Sequence, residues 1–210
     1  MNIIKKLSQV VILNLVFILV KEVKNDLNLP KNQFYIVASN HSSHIDPFII
    51  ASIVFKNQRR IVQFIGKKES LTNPTWRFIY HTFGVITIDR NSKSKTPIIT
   101  AIRCLNNKNI IGIFPEGTRT PDGKIHKGKT GVARIALHSN ACVVPVAIKG
   151  TFHLWPKHKK FPKIRKIIKV NIGKPMDFKN YRNKKISKKI LRLITNSIMK
   201  RINNLYRSIK

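Results

Sequence analysis

Apolar positions along this chain gather into short runs separated by polar, glycine- and proline-bearing turns. Residues 34–38 (FYIVA), 61–65, 85–88 (VITI), 110–114, 142–148 (CVVPVAI) and 167–172 have the length and β-branched content of strands. Between them, residues 47–55, 74–83, 96–106 and 131–138 suit helices, with Ile98, Ile102 and Leu105 near one face of the third. Strands alternating with helices predict an α/β fold. The expected core is a mixed, largely parallel central sheet with helices on both faces.

The two ends of the chain follow different patterns. Residues 10–20 (VVILNLVFILV) form an apolar run with Lys5 and Lys6 before it and Lys21, Glu22 and Lys24 after it. Eleven helical residues rise only about 16 Å, roughly half the hydrocarbon core of a bilayer, so a full span is not expected. No small-residue cleavage site follows, as a signal peptide would need. Residues 1–25 are therefore expected to form an apolar membrane-interface helix, its lysines at the headgroups, ahead of an α/β domain over 26–210. The alternative is a helix packed on the domain. At the other end, Ile190, Ile194, Ile198 and Ile202 recur every four residues, giving an amphipathic helix with a basic face.

A length of 210 residues fits one domain with a sizeable core. Charge adds more: 41 Lys and Arg face 8 Asp and Glu, a formal net of +33. That balance implies an anionic partner, a membrane surface or a nucleic acid. The joint abundance of Lys, Asn and Ile also fits an AT-rich genome, which would account for part of the excess. Cys104 and Cys142 show no metal-ligand spacing and are expected as reduced, buried thiols.

Candidate chemistry centres on residues 40–48, NHSSHIDPF. His41 and Asp46 lie five positions apart, about 140° out of alignment on a helix, so the chain between them should turn. A strand precedes them, and Asp46 and Pro47 suit an N-cap and a first helical position. A turn of this size can return the carboxylate to one imidazole nitrogen. The other nitrogen is then free to take a proton. The plainer reading is a capping Asp and an ordinary loop His.

Active loops of an open α/β sheet gather at the carboxyl ends of its strands. Besides this turn, Lys67–Lys68, Asp89–Arg90 and the FPEGTRT run at 114–120 fall there. A base beside cations suits an acceptor with both a hydroxyl and a phosphate. Arg119 follows Gly117, which permits close backbone approach, and guanidinium grips phosphate with paired hydrogen bonds. Glu116 could hold Arg119 or bind an acceptor hydroxyl. Nothing supports a G-x-S-x-G elbow, a Walker loop or a dinucleotide fingerprint. His41 and His44 lack a third ligand spacing for zinc, so no metal is expected.

In this order, NHSSHIDPF, GVITIDR, FPEGTRT and VVPVAIKGT resemble the four motifs of the glycerolipid acyltransferases. Within that family the chain is most similar to the 1-acyl-glycerol-3-phosphate (lysophosphatidic acid) acyltransferases. The resemblance covers residues 34–151. It implies His41 as general base and Asp46 as its orienter. It implies an acceptor site of Arg90, Glu116, Gly117, Thr118 and Arg119, with Lys67 as a further phosphate contact. No cofactor is implied; acyl-CoA or acyl carrier protein would be the co-substrate. Lysophosphatidic acid and an anionic membrane surface would be the other partners, with the protein on the cytoplasmic face of the cell membrane as a peripheral or monotopic enzyme.

Two other readings remain at this level. One is a related acyltransferase acting on glycerol-3-phosphate or another lyso-lipid. The other is a basic, non-enzymatic membrane- or RNA-binding protein. Nucleic acid is not an expected partner, because no interleaved aromatic stacking pattern or RNA-binding signature accompanies the charge.

Overall fold

The computed structural model describes residues 3–88, 96–159, 161–181 and 184–210. In chain order its elements are α1 (Ile3–Phe17), β1 (Val20–Lys24), β2 (Tyr35–Ser39), α2 (Asp46–Gln58), β3 (Val62–Lys67), α3 (Pro74–Phe83) and β4 (Ile86–Ile88). They continue with α4 (Thr96–Asn106), β5 (Ile110–Ile113), α5 (Gly131–Ser139), β6 (Cys142–Lys149), α6 (Thr151–Leu154), β7 (Ile168–Ile172) and α7 (Lys188–Arg207). The expected α/β architecture is present.

Among the described residues the sheet has seven strands in the order β1-β7-β6-β2-β5-β3-β4. The block from β6 to β4 is parallel throughout. β7 runs antiparallel to β6, and β1 runs parallel to β7. The carboxyl ends of the five parallel strands therefore share an edge with the amino ends of β1 and β7. That edge carries the candidate site.

Alternation along the strands splits the core between two faces. Tyr35, Val37, Val144 and Val146 point to the side covered by α1, α2 and α3. Ile36, Ala38, Ile111 and Val143 point to the side covered by α4, α5 and α7. The four-residue repeat of α7 belongs to this second core: Ile194, Ile198 and Ile202 are buried, and Ile190 is half-buried against it. Its apolar stripe is thus covered by the protein itself.

The amino-terminal segment differs from the expected single helix. α1 stops at Phe17, and Val20–Lys24 (VKEVK) forms an edge strand beside β7. Val20 is buried while Lys21 and Lys24 reach solvent, the pattern of a short lysine-protected edge. α1 lies on α2 and α3, with Leu13 buried and Gln9 Nε2 donating to Thr82 O at 2.7 Å. Its opposite face exposes Ile4, Leu7, Val11 and Leu15, with Ile18 just beyond the helix. Among the described residues no helix is long and apolar enough to cross a membrane.

Candidate active site

His41 leaves the end of β2, and Asp46 begins α2. The chain turns between them. Asp46 is not the N-cap that the sequence suggested; Ile45 holds that position and Asp46 is the first helical residue. Its carboxylate folds back over the turn. Oδ2 accepts from Ser42 N at 2.7 Å and Ser43 N at 2.7 Å, and meets His41 Nδ1 at 2.8 Å. An oxygen accepting two main-chain amides is a carboxylate acceptor, which assigns the proton of that third contact to Nδ1. Nε2 is then the free nitrogen. Asp46 is fully buried, in the first turn of α2.

The imidazole is held on its other sides. Phe114 stacks on it with centroids 4.0 Å apart and planes 14° apart. His41 O accepts from Thr120 N at 2.8 Å. His41 N donates to Glu116 Oε1 at 2.8 Å, and His126 N donates to Glu116 Oε2 at 2.9 Å. Both oxygens of this buried carboxylate are thus engaged by main chain. Burial pushes the Glu116 carboxyl above its usual range, against the pull of these two donors. Asn40 completes the scaffold: its amide gives to and takes from the Ile148 main chain at 2.9 and 2.8 Å, fastening the end of β2 to β6.

The motif after β5 lies beside this turn. Gly117 has φ 73°, where a side chain is disfavoured, and a Cβ there would stand 3.1 Å from Lys129 Cδ. The Lys129 stem therefore lies across Gly117. Arg119 is half-buried, and its Nη1 is buried without a hydrogen-bond partner. Leaving such a donor unmatched costs about 1–3 kcal/mol or more, so this guanidinium is poised for an anion. Thr118 is exposed at the same loop.

These residues border a cavity of about 410 Å3. Its polar lining includes His41, His44, Thr118, Arg119, Lys129 and Lys157. Its apolar lining includes Phe48 of α2, Phe64 of β3, and Ile79 and Phe83 of α3. Gly66 also lines it: a Cβ there would come within 2.6 Å of Tyr80 Oη and 2.8 Å of Val85 Cγ1.

His41, Asp46, Glu116, Gly117, Thr118 and Arg119 are thus gathered at one edge, as expected. Lys67 ends β3 at that edge, paired with Ile88, and its side chain is outside the described set. Arg90 lies outside the described residues.

Several site residues had no assignment from sequence. Lys129 and Lys157 had no distinguishing signal in so basic a chain. His44 is packed against Trp76 at 5.2 Å and Trp155 at 4.9 Å, residues distant in sequence. Burial first, then the charges of Arg119 and His41, lower its pKa to about 4 despite the opposing pull of Asp46. Among the described residues no group of three or more His, Cys, Asp or Glu side chains converges as a metal-ligand set.

The family profile described as acyltransferase matches residues 21–149. A 1-acyl-sn-glycerol-3-phosphate acyltransferase of Bacillus subtilis is 28% identical over 187 residues, 88% of this chain and 87% of that protein. The enzyme of the same name from Limnanthes alba is 31% identical over 139 residues, 65% of this chain. The chain spans about half the length of the Limnanthes relatives, 47% and 44%. The crystal structure of the 1-acyl-sn-glycerophosphate (LPA) acyltransferase PlsC from Thermotoga maritima superposes with a TM-score of 0.75 at 26% identity, covering 98% of this chain and 82% of that one.

Proposed function

This chain belongs to the acyltransferase family, and on that premise we propose that it transfers a fatty acyl group from a thioester to the free hydroxyl of 1-acyl-glycerol-3-phosphate, forming phosphatidic acid. One observation carries the proposal. A His41–Asp46 pair with a free Nε2 stands where an apolar cavity meets Arg119, whose buried Nη1 has no partner.

The chemistry follows from that placement. His41 Nε2 takes the hydroxyl proton as the acceptor oxygen forms its bond to the thioester carbonyl carbon. Asp46 stabilises the imidazolium. The carbon–sulfur bond then breaks, and the proton passes from His41 to the leaving thiolate. No covalent acyl-enzyme is needed, because no activated Ser or Cys belongs to the motif. The apolar cavity is suited to an acyl chain. Arg119 binds the acceptor phosphate, and Lys67, Arg90 and Thr118 remain its candidate companions. Glu116 is better placed to position His41 and the 115–126 loop than to bind substrate, since both its oxygens are engaged.

A lipid acceptor also fits the exposed apolar face of α1. We assign that face to the cytoplasmic leaflet of the cell membrane, as a monotopic contact. The donor thiol, coenzyme A or acyl carrier protein, and the acyl length it carries are matters for assay.

The test is a panel of lyso-lipids and glycerol-3-phosphate, each offered with acyl-CoA and acyl-acyl carrier protein. The purified protein should turn over 1-acyl-glycerol-3-phosphate fastest with at least one donor. Preference for glycerol-3-phosphate would move the acceptor assignment, and no transfer in any pair would remove the enzymatic reading.

A further inference from the structure

Residues 157–166 (KHKKFPKIRK) hold six lysines and arginines, one histidine and no acid. Within this basic run Phe161 is 74% exposed and Ile164 is 83% exposed. Single exposed apolar side chains are ordinary, and Leu27 is as exposed elsewhere, but here two stand three positions apart between cations. The described residues of the run are also tied to the domain. At its base Lys163 N donates to Leu154 O at 2.8 Å, and Trp155 Nε1 donates to Lys159 O at 3.0 Å. Ser43 Oγ donates to Trp155 O at 2.7 Å, joining the root directly to the catalytic turn.

We infer that residues 157–166 form a second membrane-docking loop, which seats Phe161 and Ile164 in an anionic leaflet beside α1 and fixes the active-site mouth at the lipid surface. This rests on the membrane-facing reading of α1 given above. Topology supplies the continuity. β7 begins just after the loop and β1 begins just after α1, with Val20 opposite Ile168. Leu19 O accepts from Ile168 N at 3.2 Å. The loop and the carboxyl end of α1, with its exposed Leu15 and Ile18, thus return to the sheet side by side at the edge that carries His41. Lys157, at the start of the run, already lines the cavity, as His41 and Arg119 do.

Chemistry selects the occupant. Cations attract an anionic headgroup layer from a distance, while two protruding apolar side chains need a medium to enter. An acidic protein would satisfy the cations too. The adjoining apolar face of α1 extends the patch in a way that suits a bilayer better than a small carrier.

The test measures binding of the full chain to vesicles of phosphatidylglycerol and phosphatidylcholine at about 0.15 M salt. Phe161→Ser with Ile164→Ser should weaken the partition at least about tenfold, from the lost apolar insertion. The rate on a soluble, short-chain lysophosphatidate should be unchanged, which also shows that the variant folds. In an otherwise native chain, Ile164→Trp should be quenched by lipids with brominated acyl chains. Unchanged partition with no quenching would overturn the proposal. So would unchanged partition with loss of activity only for acyl carrier protein, which would make the loop a donor contact. Leu7→Ser with Val11→Ser, measured in parallel, tests α1 separately. If only that pair weakens binding, the α1 reading survives and the loop proposal fails. Neither binding measurement depends on the substrate assignment.

Discussion

At the scale of the residue, the site depends on which polar atoms are already matched. Asp46 Oδ2 is committed to His41 and two amides, whereas Asp46 Oδ1 and Arg119 Nη1 are buried without a hydrogen-bond partner among the described residues. Arg119→Ala should therefore raise the Michaelis constant for the phosphate-bearing acceptor more than that for the thioester. Arg119→Lys should restore it only in part, because a point charge lacks the two-pronged geometry. Initial rates against both substrates check this; an unchanged acceptor constant would remove Arg119 from the phosphate site. His44 gives a prediction in pH. Its pKa is about 4 in the folded protein against an ordinary 6.5, so between those values the unfolded chain binds the extra proton. Stability must then fall as pH drops through that window. His44→Phe keeps an aromatic ring between Trp76 and Trp155 and removes the proton-binding group. Thermal unfolding from pH 7 to pH 4 should show a smaller loss for the variant than for the parent. The His41–Asp46 partnership was legible from sequence because both partners sit in one short turn. The histidine packed between tryptophans was not, since its neighbours come from α3 and from the segment after α6.

Among the elements, those with a continuous apolar run or a clean helical face were legible. β2, β5 and β6 are buried on both faces and read as unbroken apolar strings. β1 was not legible, because VKEVK is short, lysine-rich and directly follows an apolar helix; only pairing with β7 makes it a strand. Asp46 was misread as an N-cap because its side chain caps the turn before the helix rather than the helix itself. The strand in residues 20–24 also determines how α1 can be tested. Truncation through Lys24 would remove a sheet edge, so substitution on the exposed face is the informative change. Leu7→Ser with Val11→Ser should lower the rate on vesicle-borne acceptor about tenfold or more, while sparing the rate on detergent-dispersed acceptor. Equal losses in both formats would mean that these residues support the fold instead of the membrane contact.

Over the whole molecule, the reversal of β1 and β7 relative to the parallel block matters most. It brings the end of α1 and the root of the 157–166 loop to the edge where His41, the apolar cavity and Arg119 already meet. The alternating pattern predicted the α/β class and the layers on both faces. It could not give this strand order, because the edge strand β1 carries little sequence signal and lies where the apolar pattern predicts helix. A lipid surface met at this edge would give the formal charge of +33 an anionic partner. The account as a whole rests on acyl transfer by His41. Its most direct test is phosphatidic acid formation from 1-acyl-glycerol-3-phosphate and an acyl thioester, comparing the parent with His41→Ala at matched unfolding temperature. The account predicts turnover by the parent and a loss of at least about a hundredfold in the variant, the low end for general-base catalysis. Equal turnover by the two proteins would contradict it.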